Sequence, residues 1–137
     1  MLPLPWRSFR TAEPDREYLV LLSKLPLRSY RALPRFLRFT RQVQRQLRTA
    51  PGLLGYSLLA GLWQKQFWTL SVWEDEQGLR GFVDALPHYT VMTALQPDMG
   101  ETQFLRWVIP GTVYPPSWNE ALARAMSRPP SGPVVSP

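Results

Sequence analysis

The sequence predicts an α+β domain whose strands and helices follow the order βαββαβ. Four segments combine β-branched, aromatic and aliphatic residues, as strands with both faces covered do; they are 17–25, 53–60, 67–73 and 102–109. Two longer segments, 29–49 and 75–95, repeat apolar residues every three or four positions, which is typical of one helix face. We therefore expect a four-stranded antiparallel sheet in the ferredoxin-like arrangement.

The first strand ends at Pro26, which has no N–H to donate to a sheet. The helix that follows carries an apolar stripe consisting of Leu33, Phe36, Leu37, Val43 and Leu47. Gly52 and Pro51 stand just past its end, where these residues commonly terminate helices. The second and third strands are joined by the short connection 62–65, which predicts an antiparallel pair.

The second helical region carries two apolar stripes and the only histidine. Acidic residues at 74–76 stand at its start, where negative charge stabilises a helix N-terminus. The first stripe consists of Leu79, Phe82, Val83 and Leu86. Pro87 interrupts the pattern because its ring clashes with the preceding turn. The second stripe consists of His88, Val91, Met92 and Leu95, so the imidazole is expected to face the residues that this helix buries.

Three segments lie outside the βαββαβ core. Residues 1–16, rich in proline and arginine, are expected to form an extended arm, and residues 128–137 a disordered tail. The motif from Ser117 to Glu120 has the form of a capping box and predicts a short helix. Its expected inward residues are Trp118, Leu122 and Met126. A single domain would then span residues 17–127.

The composition excludes several classes of site. The chain has 137 residues, 45% of them hydrophobic, which is enough for one core. It has no cysteine, so disulfides, thiolate metal sites and thiol nucleophiles are excluded. Neither a signal peptide nor an apolar run of about 18 residues is apparent, so a cytoplasmic protein is expected.

Positive charge is concentrated in the first third of the chain. Residues 1–50 hold eleven Arg and Lys against three Asp and Glu, whereas the whole chain has a net charge of +6. Six arginines recur every three or four positions on the first helix and form what we call the arginine face: Arg31, Arg35, Arg38, Arg41, Arg45 and Arg48. One interpretation is a non-catalytic surface that binds an acidic partner or an anionic membrane. The other is a solvated face with its stems over apolar surface. No nucleic-acid-binding motif is present, so nucleic acid is not an expected partner.

Both faces of the predicted sheet are apolar. In the third strand Trp68, Leu70 and Val72 point to one side, while Phe67 and Trp73 lie on the other. Two helices on one face would leave the second face open, and an exposed apolar surface of this size favours association. The sequence therefore predicts a homodimer with two sheets packed face to face.

Three stretches resemble a known superfamily: PGLLGYSLL at 51–59, FWTLSVWEDEQGLRGFV at 67–83 and PHYTVM at 87–92. With the element order, they are similar to the dimeric α/β-barrel superfamily, in particular the antibiotic biosynthesis monooxygenases, over roughly residues 17–110. The strand-to-helix junction followed by His88 also resembles the spheroidene monooxygenase group. The resemblance implies a homodimer. The superfamily contains cofactor-independent monooxygenases, haem-degrading and haem-dependent enzymes, and proteins of unknown function.

His88 is the candidate catalytic residue, because an imidazole can exchange a proton or bind a metal near neutral pH. A pocket between helices and sheet would surround it with residues that hold an apolar or aromatic molecule. These candidate substrate-binding residues are Tyr56, Trp73, Phe82, Tyr89, Met92, Phe104 and Trp107.

Three roles for His88 remain open. As a base it would help to deprotonate a phenolic substrate that then reacts with dioxygen without a cofactor. The resemblance implies a second role, as the axial ligand of a haem. The third is purely structural, as a packing or capping residue at the break beside Pro87. The haem-degrading branch combines an Asn, a Trp and a His, whereas the only asparagine here, Asn119, lies outside the matched region. No separate metal site is expected.

Overall fold

The computed structural model describes residues 2–85 and 88–127. Within these residues the strands are β1 (Leu2–Pro3), β2 (Arg7–Ser8), β3 (Glu17–Pro26), β4 (Leu53–Gly61), β5 (Gln66–Trp73) and β6 (Gln103–Pro110). They form one antiparallel sheet in the order β1-β4-β5-β3-β6, with β2 also paired to β4. The predicted four-stranded ferredoxin-like core, β3 to β6, is confirmed. Two short segments of the N-terminal arm extend it at β4.

The described helices are α1 (Leu33–Leu47), α2 (Glu76–Asp84), α3 (His88–Leu95) and α4 (Trp118–Ser127). The second helical region is thus two helices, as the proline at position 87 predicts. Asp75 begins α2, because its carboxylate accepts a hydrogen bond from the N–H of Gly78 at 2.8 Å. None of the helices in the described ranges is long and apolar enough to cross a bilayer.

One face of the sheet packs against α1, α2 and α3. Trp73 and Tyr56 of this face are buried with Leu47 of α1 and Leu79 of α2. Farther along, the Phe36 ring of α1 packs on Phe67 of β5, and their centroids are 4.5 Å apart. The helices therefore cover this face from both crossover connections, as the ferredoxin-like order requires.

The opposite face of the sheet is covered by the same chain, so the expectation that it lies open is wrong. Val20, Leu70 and Val72 on this face are completely buried without a second subunit. The covering residues come from the arm and the C-terminal segment, both outside the predicted core; they are Trp6, Ala12, Tyr114, Trp118, Ala121, Leu122 and Ala125. Burial within the chain removes the need for a partner over this surface.

Helix α4 packs closely on the sheet because small residues face the strands. Ala121 is completely buried, whereas Met126 is 87% exposed, so the predicted inward position of Met126 is wrong. The buried Ala121 and the partly buried Ala125 follow Trp118 by three and seven positions, and their small side chains allow close approach to the strands. Ser117 caps the helix as predicted, since its Oγ accepts a hydrogen bond from the N–H of Glu120 at 3.1 Å, while the Glu120 carboxylate pairs with Arg124 at 3.2 Å. The predicted tail, residues 128–137, lies outside the described residues.

Candidate functional site

A cavity of about 1080 Å³ lies between the sheet and the helices α1, α2 and α3. We call it the central cavity. Its walls are mainly aliphatic and aromatic, and it is where the sequence predicts a binding pocket. Six of the predicted residues line it: Tyr56, Trp73, Phe82, His88, Met92 and Phe104.

One predicted residue, Trp107, does not line the central cavity. Trp107 pairs with Val20 and belongs to the opposite face of the sheet, where the Arg124 guanidinium lies 5.0 Å from its ring centroid. Phe104 and Trp107 are three residues apart in one strand, so alternation places them on opposite faces. The prediction that Trp107 lines the pocket is therefore wrong. The side chain of Tyr89 lies outside the described part of the structure.

His88 begins α3 and is held by contacts on two sides. Its Nδ1 lies 3.1 Å from the carbonyl oxygen of Val83, and its ring centroid is 4.8 Å from that of Phe82. A carbonyl only accepts hydrogen bonds, so in the neutral imidazole Nδ1 carries the proton and donates it. Nε2 then has its lone pair free, and no described residue donates a hydrogen bond to it. Nε2 can therefore accept a proton or a hydrogen bond from a ligand.

The surroundings of His88 favour its uncharged form. Burial lowers the pKa of the imidazole below its ordinary value of 6.5, and this effect outweighs two opposing ones. The hydrogen bond to the Val83 carbonyl and the negative charge of Asp84 both act to raise the pKa. At neutral pH the side chain is consequently an uncharged base.

Gln46 of α1 joins the end of α2 to the start of α3. Its Nε2 donates to the carbonyl oxygen of Phe82 at 3.0 Å, and its Oε1 accepts from the N–H of His88 at 2.9 Å. One side chain thereby satisfies backbone groups on both sides of the helix break and sets the position of the histidine. The sequence gives no sign of this role, because a glutamine within an arginine-rich helix looks the same whether it faces solvent or makes a tertiary contact.

The floor of the central cavity combines aromatic rings with small hydroxyl groups. Trp73 Nε1 donates to Ser71 Oγ at 2.9 Å, which satisfies the indole within the buried layer. Trp73 also packs on Phe82, with centroids 5.4 Å apart. Tyr56 is buried, and its hydroxyl lies 3.5 Å from an Arg7 nitrogen of the arm. The sheet therefore supplies a rigid aromatic floor.

Charged groups line part of the central cavity. Arg28 and Arg41 are among its lining residues, together with the acidic Asp84 and Glu101. Arg28 donates from Nε to the Met99 carbonyl at 2.7 Å. No cluster of acidic or histidine side chains that would hold a metal ion occurs among the described residues. The wall is thus apolar with a few charges of both signs.

All six residues of the arginine face are exposed. Arg35 pairs with Asp98 at 3.7 Å, and no carboxylate of the described ranges forms an ion pair with the other five. Arg41 belongs to this face and also lines the central cavity. The arginine face is therefore a largely uncompensated positive surface.

No protein-family model and no curated protein matches this chain. Solved structures do match. SnoaB, a cofactor-independent oxygenase from Streptomyces nogalater, is 14% identical, with a TM-score of 0.56 over 66% of this chain and 91% of its own. A dimeric ferredoxin-like protein of unknown function from Thermobifida fusca is 12% identical, with a TM-score of 0.58 over 69% and 92%. The chain therefore has the ferredoxin-like fold of these proteins.

A third match gives this fold in a longer chain. A proposed monooxygenase from Lactobacillus acidophilus NCFM is 8% identical, with a TM-score of 0.59 over 74% of this chain. The present chain spans 50% of the length of that protein. At identities this low, the structural likeness shows the fold alone, so activity has to be argued from the site. The likeness to the spheroidene monooxygenase group stays a prediction.

Proposed function

We propose that the central cavity binds a fused-ring phenol and that His88 is the base of a cofactor-independent oxygenation. The observation that carries this proposal is the imidazole itself. Its Nδ1 is committed to the Val83 carbonyl, which leaves Nε2 as a proton acceptor on an apolar, aromatic wall. A base of this kind acts when a phenolic hydroxyl lies within hydrogen-bond reach.

The reaction needs no reductant beyond the substrate. His88 Nε2 takes the phenolic proton, and the resulting anion transfers electrons to dioxygen at a ring carbon that carries hydrogen. A carbon–oxygen bond forms and gives a hydroperoxide. Cleavage of its O–O bond with loss of water leaves a carbonyl group. One oxygen atom of dioxygen enters the product and the other leaves as water, so two hydrogens of the substrate are consumed.

The size and the chemistry of the cavity support a fused-ring ligand. Its volume of about 1080 Å³ is slightly above the usual range of about 300–1,000 Å³ for small-molecule sites, so the cavity has room for several fused rings. Trp73, Phe82 and Phe104 present ring surfaces against which flat aromatic systems pack. Exclusion of water from such a site protects reactive anions and peroxides. The name of SnoaB, a cofactor-independent oxygenase, supports the same chemistry on this fold.

Oxygen consumption tests the proposal. The purified chain is supplied with an anthracenol and isotopically labelled dioxygen, with no flavin, haem or metal added. We expect a product that gains one labelled oxygen atom and loses two hydrogens, and a rate at least 100-fold lower for His88→Asn, since general-base catalysis contributes about that much. An unlabelled product, or equal rates, would refute the proposal.

A haem protein is the second candidate, because ligating histidines commonly donate one ring nitrogen to a backbone carbonyl, as His88 does to Val83. The residues fit such a group: His88 would hold the iron through Nε2, while Arg28 and Arg41 offer positive charge to its carboxylates. A bound haem would supply dioxygen activation. A Soret band after growth with excess haem, lost in His88→Ala, would favour this candidate over the first.

We also propose that the chain forms a homodimer, although only one of the reasons for expecting a dimer remains. The Thermobifida fusca neighbour is named as dimeric. The reason drawn from an open apolar sheet no longer applies, because α4 and the arm cover that face. Sedimentation velocity at several protein concentrations tests the proposal, and a species of monomer mass throughout would reject it.

A further inference from the structure

The arginine face runs the length of α1. Arg35, Arg38 and Arg45 project within a sector of about 80° of the helix, given 100° per residue. The opposite side of the helix is buried through Phe36 and Leu47. Charge and burial thus divide α1 into two sides, and the charged side faces solvent.

An exposed hydrophobic tip lies beside the start of this helix. The connection between β4 and β5, residues 62–65, forms the hairpin tip, where Trp63 is 88% exposed and Leu62 is 52% exposed. Tyr30, just before α1, donates its hydroxyl to the Trp63 carbonyl at 2.6 Å. The ammonium group of Lys65 lies 5.2 Å from the Tyr30 ring centroid. These contacts fasten the hairpin tip to the N-terminal end of the arginine face.

We infer that the arginine face and the hairpin tip together dock on the surface of an anionic lipid bilayer. Arginine side chains meet the negative headgroups, and Trp63 with Leu62 enters the interfacial layer. An indole favours this layer because it has an apolar body and a polar N–H. A few positive charges combined with a small apolar insertion are sufficient for reversible attachment.

A bilayer fits these two features better than an acidic protein does. Charge complementarity alone would suit either partner. Trp63, which is 88% exposed, would gain apolar contacts from the interfacial layer of a bilayer but none from a purely acidic surface. Arg41 and Leu37 lie where this surface meets the central cavity, so a docked protein would present the cavity wall to membrane-dissolved apolar molecules.

Vesicle sedimentation tests this docking with the full chain. Vesicles of phosphatidylcholine with phosphatidylglycerol are compared with vesicles of phosphatidylcholine alone, at low and high salt. We expect binding to the anionic vesicles that weakens with salt. The variant Arg31→Gln/Arg38→Gln/Arg45→Gln should bind about 100-fold more weakly, because each basic residue near such a surface contributes a factor of about five.

The matched control removes the same charge elsewhere. Arg16→Gln/Arg80→Gln/Arg124→Gln alters three exposed arginines outside the arginine face and should bind within a few-fold of the wild type. Trp63→Ser should weaken binding. Trp63→Phe should retain it but abolish a blue shift of tryptophan emission that the wild type shows with anionic vesicles.

Three results would overturn the inference. The first is equal loss of binding in both triple variants, which would indicate net charge alone. The second is binding to soluble polyglutamate but not to vesicles, which would indicate an acidic macromolecule. The third is wild-type self-association that Trp63→Ser abolishes without any vesicle binding, which would make the hairpin tip a contact between copies of the chain.

Discussion

At His88, the depressed pKa sets a condition on the substrate. A buried imidazole is uncharged at neutral pH and ready to accept a proton, but a lower pKa also makes it a weaker base. Proton transfer from an ordinary phenol would then be uphill. Fused-ring phenols with conjugated carbonyl groups are more acidic, so they match this base better, and the aromatic wall would select them.

The lowered pKa of His88 also predicts how the free energy of unfolding changes with pH. Because the folded-state pKa of His88 lies below the unfolded value of about 6.5, the unfolded chain takes up the proton first as the pH falls. The lowered pKa of His88 therefore adds to the free energy of unfolding. This stabilisation is fully present above about pH 6.5 and is lost as the pH falls toward the folded-state pKa. Urea denaturation at a series of pH values measures it.

His88→Asn provides the control for this prediction, since an amide can still donate to the Val83 carbonyl but does not titrate. His88 is the only histidine of the chain, so the pH dependence near 6 should flatten in the variant. Parallel curves for both proteins would contradict the assigned burial of the ring.

Gln46 gives a second prediction at this scale. Gln46→Leu removes both hydrogen bonds across the break between α2 and α3, leaving the His88 N–H and the Phe82 carbonyl without this partner. We expect a loss of about 1–3 kcal/mol in the free energy of unfolding. Gln42→Leu, in the same helix and without such a bond in the described structure, should change it by less than about 0.5 kcal/mol. Similar effects of the two substitutions would contradict the bridging role of Gln46.

Among the elements, α4 does what the sequence analysis assigned to a second subunit. Trp118 Nε1 donates to Ser57 Oγ at 3.0 Å, and Ala121 is completely buried above the strands. The apolar pattern of the strands correctly indicated that both faces are covered. It carried no information about the covering partner, because that contact joins segments far apart in the sequence.

Removal of α4 should therefore expose the sheet. A chain that ends at Pro116 loses the cover over Leu70 and Val72, and we expect self-association with increased binding of a hydrophobic dye. A chain that ends at Ser127 keeps α4 and is the control. The account of this face would be wrong if the shorter chain sedimented and bound dye as the control does.

Over the whole molecule, local sequence signals predicted where the helices and strands begin and end, but they predicted less well which of these elements pack against each other. The proline at position 87 predicted two helices in place of one, and the acidic residues at 74–76 predicted the start of α2, because such residues act on the adjacent backbone. Strand alternation would have placed Trp107 opposite Phe104, had it been applied to β6 as it was to β5. The bridge made by Gln46 and the cover made by α4 depend on tertiary packing, which no single segment specifies.

The central claim is that a phenol in the central cavity gives its proton to His88. The most direct measurement is an anaerobic titration with an anthracenol, followed by the absorption of its phenolate. We expect the bound ligand to ionise at lower pH than in solution with the wild type, and to bind but remain protonated with His88→Asn. Phenolate formation in both proteins, or in neither, would contradict the claim.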